Sequence, residues 1–212
     1  MSLLSKPVVI ARTASTEAID AILSRRSNAA LVEPGPTAQQ LAQILRAGMT
    51  VPDHGALRPY RFLVSEGPAR ERVGDALAAA MHEARPDAPP DVLEKVKSKA
   101  FAAPLQVLLI ASPRVGHKIA EWEQLASASC TGYAIALAAH ALGLGAAWKN
   151  APFDRGQALC TMLGLQPHER LLGWVNIGQI ARELPPPVVV ALSTVVGVVT
   201  PDGVTTYEAP SK

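Results

Sequence analysis

The chain has 212 residues, with 20 Lys or Arg against 18 Asp or Glu, and 49% of it is hydrophobic. That is long enough for one domain with an ample core and too apolar for intrinsic disorder. A net charge of +2 is too small for a general nucleic-acid or membrane-surface binder. Cys130 and Cys160 match neither a disulfide scaffold nor a C-x-x-C spacing, so a reducing cytoplasm is the expected compartment.

From Gln124 to Trp148 there is no Asp, Glu, Lys or Arg. A membrane span needs about 20 mostly apolar residues, and this run is long enough. Its content argues otherwise: Ala, Ser, Thr, Gly and His140 dominate, and Glu121 and Glu123 sit just upstream instead of a cationic flank. Small residues let helices approach closely, so a buried helix enclosed on all sides is the expectation. Pro7 to Ala11 is too short for a signal-peptide core.

In chain order, residues 1–14 read as a lead-in. Ser15 or Thr16 starts a short helix with Ile19, Ile22 and Leu23 as its apolar stripe, ending at Arg25-Arg26-Ser27. After Pro34-Gly35-Pro36, the capping-box pattern Thr37 to Gln40 opens a helix with Leu41, Ile44 and Leu45 on its buried face and Gly48 near its end. Val51 to Pro59 is a loop, Tyr60 to Ser65 a strand, and Pro68 begins a helix running to about Glu83. A proline-rich turn leads to a polar helix from Asp91 to Phe101. Leu105 to Ala111 (Leu-Gln-Val-Leu-Leu-Ile-Ala) is strongly apolar and predicts a central strand. The Ala-rich helix then runs from about Lys118 to Leu142 and stops at Gly143-Leu-Gly145. A short strand (Gly145 to Lys149), a helix (Gln157 to Leu163) and another strand (Leu171 to Ile177) follow. The tail from Pro185 is rich in valine, and its sticky edges predict wrapping over something, such as another subunit.

The order predicts a single α+β domain of the α/β class over residues 1–212, with a central mixed sheet of four to five strands flanked by helices. Chemistry-bearing motifs are few. Gly143-x-Gly145 follows a helix instead of a strand, so it is no dinucleotide fingerprint, and neither a P-loop nor a G-x-S-x-G elbow occurs. His54, His82, His117, His140 and His168 lack metal-ligand spacing. Asp53 and His54, adjacent in sequence, are expected to diverge. Arg25-Arg26-Ser27 has two readings: cations complementing a helix C-terminus, or guanidinium forks and a hydroxyl for a phosphate. Trp148-Lys149-Asn150, at a strand end, is either an ordinary edge or a cofactor rim.

Taken in order, these stretches resemble the nitroreductase superfamily of FMN-dependent oxidoreductases, and within it a small bacterial NAD(P)H nitroreductase branch. The resemblance is carried by Arg25 to Ser27, Pro36 to Met49, Val51 to His54, Pro59 to Phe62, Trp122 to Gln124, Gly143 to Trp148 and Gly173 to Gly178. It implies a cytoplasmic homodimer with two FMN sites, each built from both chains. Arg25, Arg26 and Ser27 would hold the phosphate and ribityl side, His54 would reach the flavin from the partner, and Trp148, Lys149 and Asn150 would line it. The Ala-rich helix would be the central dimer helix, and the tail from residue 185 would embrace the partner. Thr50, Arg58, Lys149 and Asn150 depart from the residues the branch or family has there.

The resemblance implies an enzyme that takes hydride from NADH or NADPH onto FMN and then reduces a small-molecule acceptor such as a nitroaromatic or quinone, by a ping-pong mechanism. Neither a metal nor a protein acid or base is implied, because the cofactor does the chemistry. Two other readings stand beside it: a non-catalytic flavin-binding homodimer serving as carrier or sensor, and a flavin-free structural domain.

Overall fold

The computed structural model describes residues 16–150, 153–185 and 187–208; the lead-in over 1–14 lies outside them. The helices are α1 (Thr16–Ser24), α2 (Ala38–Gly48), α3 (Ala69–Ala84), α4 (Pro90–Lys97), α5 (Glu121–Ala141) and α6 (Gln157–Leu163). Strands β1 (Leu31–Val32), β2 (Tyr60–Glu66), β3 (Leu105–Ala111), β4 (Gly145–Lys149) and β5 (Arg170–Ile180) form one sheet, and β6 (Gly197–Thr200) and β7 (Gly203–Thr206) a separate hairpin. The main strands pair antiparallel in the order β1-β5-β3-β2, with β4 also on β5. A parallel bridge between Ser27 and Ala146 makes the edge beyond β4 mixed. The architecture is the α+β arrangement expected from the element order.

β3 is central, as its strongly apolar run predicted: every residue from Leu105 to Ala111, Gln106 included, is buried between β2 and β5. Its alternating side chains feed two cores. Leu108 and Ile110 join Trp174, Leu77 of α3, Val96 of α4 and Leu159 of α6 on one face. Val107 and Leu109 join Val175, Ile44 of α2 and Ile135 of α5 on the other. Each such aliphatic side chain contributes roughly 1.5–3 kcal/mol on burial. Thr37 and Gln40 form the expected capping box on α2, with reciprocal bonds of 3.2 and 2.9 Å. α2 and α5 approach closely at Gly48, where a Cβ would sit 2.8 Å from Ile135.

Several boundaries differ from expectation. α5 starts at Glu121, not near Lys118, because the buried Gln124 side chain bonds Arg114 and Ile119 backbone and holds the preceding segment as a loop. The helix expected from Asp91 to Phe101 is α4 followed by a tighter 3-10 turn, Ser98–Phe101. β5 is longer at both ends, reaching Ile180 because the two-residue β1 pairs with it there. His54–Ala56 forms a single 3-10 turn within the expected loop.

The apolar stripe of α1 is not buried: Ile19 is 55% exposed and Leu23 67%. Nor is α5 enclosed on all sides within one chain, since Trp122 is 71% exposed and Tyr133 45%. The tail's valines are likewise exposed, Val188, Val189, Val195 and Val199 among them. Among the described residues, no helix is long and apolar enough to cross a membrane.

One ion pair closes the end of the sheet. Arg61 of β2 grips Glu169 with Nε and Nη2 at 2.8 and 2.7 Å, and its Nη2 also donates to the Leu163 and Gly164 carbonyls. The Glu169 side chain is only 4% exposed. The Arg61 guanidinium, with the Gln166 N–H and the Ser112 hydroxyl, holds its carboxyl at about 2 instead of 4.5. A depressed carboxylate stabilises the fold above the unfolded value and loses that contribution as pH falls through the folded one. Between pH 4.5 and about 2 the chain should therefore lose up to about 3 kcal/mol through this group. Urea unfolding of wild type and Glu169→Gln over this range should show the gap between them closing as pH falls; a pH-independent gap would refute the assignment.

Candidate functional site

The residues expected at a cofactor site gather mostly around β4. Arg25 follows α1, its N–H closing the helix on the Ala21 carbonyl at 3.1 Å. The next residues run beside β4: Ser27 bridges Ala146, and the Asn28 N–H donates to the Ala146 carbonyl at 2.9 Å. The Arg25 guanidinium lies 5.8 Å from the centre of the Tyr133 ring on α5, within cation–π range. Its Nε is buried without a hydrogen-bond partner among the described residues. A guanidinium with an unspent buried donor is a group prepared for an acceptor. Arg26 turns differently and donates to the Pro185 carbonyl, tying the start of the tail to this strip.

The strip covers β4 only as far as Ala146. Backbone groups of a strand alternate between its edges, so the N–H and C=O of Trp148 face the same side as those of Ala146, beyond the bridge and without a backbone partner among the described residues. Trp148, Lys149 and Asn150 are all exposed there. A β-bulge in β5 sets their position. The β3–β5 register shifts so that Leu109 pairs with Gly173 and Ile110 with Leu171. The Leu172 carbonyl accepts the Trp148 indole N–H at 3.1 Å. Gly173 sits at φ 111°, and a Cβ on it would fall 2.0 Å from the Lys149 carbonyl oxygen. Gly132 of α5 similarly leaves room for the Trp148 ring, 2.8 Å from where its Cβ would be.

Paired residues across a ladder share a face. Trp148 pairs with Val175 and faces α5, whereas Lys149 pairs with Trp174 and faces the opposite layer. There, Lys149 and Asn150 line a cavity of about 260 Å³ with Lys99, Ala102, Trp174 and Asn176. Lys99 is the member the sequence did not single out. It lies in the 3-10 turn before β3, 50 positions from Lys149, and its carbonyl is anchored by the buried Gln106 amide at 3.0 Å. Gln106 also donates to Asn176 at 2.7 Å. The buried Trp174 N–H has no partner among the described residues. Two ammonium groups and an unspent donor suit a ligand with negative charge and acceptor atoms.

His54 lies apart. Its Nδ1 meets Glu123 near the start of α5 at 2.9 Å, ten residues before Tyr133, about 15 Å along the helix axis. Its side chain is 68% exposed. With Nδ1–H committed to a carboxylate, Nε2 is left for another molecule. Asp53 and His54 form no dyad: Asp53 accepts the Leu57 and Arg58 N–H groups at 3.1 and 2.6 Å. Those bonds hold a strained loop in which Ala56 and Arg58 have φ of 51° and 49°. Thr50 bonds the Ala47 carbonyl at the end of α2. Among the described residues, no group of His, Cys, Asp and Glu could hold a metal ion.

Comparisons with known proteins agree with this architecture. The family model described as "Nitroreductase family" matches residues 22–179, and the chain belongs to that family of oxidoreductases. It is 34% identical over 162 residues to "Putative NAD(P)H nitroreductase YdjA" of Escherichia coli (strain K12), covering 76% of this chain and 87% of that one. It is 35% identical over 164 residues to "Putative NAD(P)H nitroreductase" of Haemophilus influenzae, covering 76% and 88%. Among solved structures, a nitroreductase-like family protein from Bacillus cereus superposes with a TM-score of 0.75 at 20% identity, over 89% of this chain and 99% of that one. The FMN and NADPH-dependent nitroreductase NfnB of sphigopyxis sp. strain HMH gives 0.67 at 20% identity, over 84% and 97%. At those identities the likeness is one of fold.

Gly173→Ala tests how the bulge positions the rim. The methyl would have to displace the Lys149 carbonyl, and the expected cost is on the order of 3 kcal/mol. Thermal unfolding should show it, while Gly164→Ala, also at positive φ but with open space around it, should lose much less.

Proposed function

We propose that the protein is an FMN-dependent oxidoreductase that accepts reducing equivalents from NADH or NADPH and passes them to a second, small organic substrate such as a nitroaromatic or a quinone, in ping-pong order. The observation that carries this reading is the pairing of the unspent Arg25 donor with the uncovered edge of β4. Arg25 opens the strip that bridges β4 at Ala146 and lies over Tyr133 of α5, so a flavin phosphate and the polar rim of its ring would each find partners along this edge. Relatives named as NAD(P)H nitroreductases and the FMN and NADPH dependence of NfnB support it.

On this reading Arg25, Arg26 and Ser27 hold the phosphate and ribityl side. Trp148, Lys149 and Asn150 line the ring from the end of β4, with Trp148 on the α5 side of the sheet and Lys149 on the other. When bound, FMN supplies the hydride chemistry, and the chain supplies orientation and charge. Lys149 brings a positive charge to the end of β4, beside a site that gains electrons, which favours reduction electrostatically. Lys149 is a compact charge where a guanidinium would grip as a fork, so its contribution is electrostatic more than geometric.

The site is completed by a second copy of the chain. Three observations support a homodimer: the outward stripe of α1, the open face of α5 at Trp122 and Tyr133, and the exposed valines of the tail. His54, outward and distant from Arg25 in its own chain, would reach the partner's flavin. The tail from residue 185, anchored by Arg26, would wrap the partner.

Purified protein should be yellow or take up added FMN, and anaerobic NADPH or NADH should bleach it. A protein that binds flavin without bleaching would be a carrier or sensor, and one that takes up no FMN would defeat both readings. Arg25→Ala should weaken FMN binding about tenfold to a hundredfold without unfolding the protein, as loss of a charge-assisted contact does. Fluorescence titration with FMN measures this, and unchanged affinity would remove Arg25 from the phosphate site.

A further inference from the structure

A second polar cavity lies at the start of α5, away from the β4 rim. Its volume is about 210 Å³, and its lining includes Arg114, His117, Ile119, Glu121, Arg155 and His168. Four basic side chains from three separate loops meet one carboxylate there. Neither arginine forms an ion pair or a side-chain hydrogen bond among the described residues, although paired arginines are frequent elsewhere in the chain.

The loop that carries two of these groups is built, not loose. It turns at Val115-Gly116, where Gly116 has φ 71° and the His117 N–H closes on the Arg114 carbonyl at 3.3 Å. Gln124, 3% exposed, clamps both ends: its Oε1 accepts the Arg114 N–H at 2.8 Å, and its Nε2 donates to the Ile119 carbonyl at 2.9 Å. The His117 Nδ1 accepts the Ile119 N–H at 3.1 Å. In the neutral ring that places the proton on Nε2, so His117 offers a donor. Guanidinium forks with imidazole donors around a concave site match the oxygens of a phosphate group.

The cavity also adjoins His54. Ile119, in its lining, fills the space beside Gly55, with its Cδ1 2.8 Å from where a Cβ would stand. Gln124 of the same lining directly follows Glu123, which holds the His54 ring. A dinucleotide approaching a flavin beside His54 would have its far end within reach of these arginines. We propose that this cavity binds a phosphate group and, resting on the flavin reading, that this is the phosphate distinguishing NADPH from NADH. Arg114 and Arg155 would then set the choice of co-substrate.

Titration calorimetry of the FMN-loaded protein with NADP+ and NAD+ tests this, because the two differ only in that phosphate. NADP+ should bind about tenfold tighter or better, as expected for a charge-assisted contact, and inorganic phosphate should weaken NADP+ binding but not NAD+ binding. The R114A/R155A double variant should bring the two nucleotides to parity with flavin content and NAD+ affinity unchanged. Lysine at both positions should restore part of the preference. Equal affinities in the wild type, or a preference that survives the double variant, would overturn the proposal. If inorganic phosphate binds the wild type and not the double variant while the chain takes up no FMN, the phosphate site stands and the flavin reading falls.

Discussion

Strand β5 has to satisfy three neighbours at once, and the candidate site is the place where that demand is met by irregularity. Along its 11 residues it pairs with β3, β4 and β1. A regular strand could not follow β3 and also let the end of β4 close in at Lys149. The bulge at Leu172-Gly173 resolves the conflict: it releases one carbonyl, which the Trp148 indole takes, and it presents a residue without a side chain where Lys149 needs room. The two cores are conventional by comparison. They follow from the alternation of β3 and hold the sheet rigid while the bulge sets the rim.

That division explains what the sequence made legible. The apolar run of β3, the capping box of α2 and the Gly-terminated end of α5 each carry their information locally, through periodicity or turn chemistry, and they formed as expected. β1 has only two residues and exists because β5 offers it an edge, so no periodicity could announce it. The start of α5 depends on where one buried glutamine finds its partners across the loop before it.

The candidate site was legible in its parts and not in its assembly. Arg25 to Ser27 and Trp148 to Asn150 were readable as motifs, but only the fold lays one strip along the other. The opposite facing of Trp148 and Lys149 follows from strand alternation once the pairing is known. Lys99 was hidden because a lysine in a polar stretch looks like any solvated charge; what distinguishes it is Gln106 and Asn176, buried amides 70 positions apart that meet beneath it. The exposed stripe of α1 shows the reverse limit. Its spacing correctly reports an apolar face, and spacing alone does not say which surface covers it.

The uncovered end of β4 has a consequence for the chain's life before any ligand arrives. A strand end whose N–H and C=O groups are unspent among the described residues, next to a large aromatic side chain, is a template on which another strand can grow. Whatever occupies that edge therefore protects the chain from sticking to itself. The amount of soluble protein a cell recovers should then depend on how promptly the edge is covered, so that covering it acts as a late step of folding.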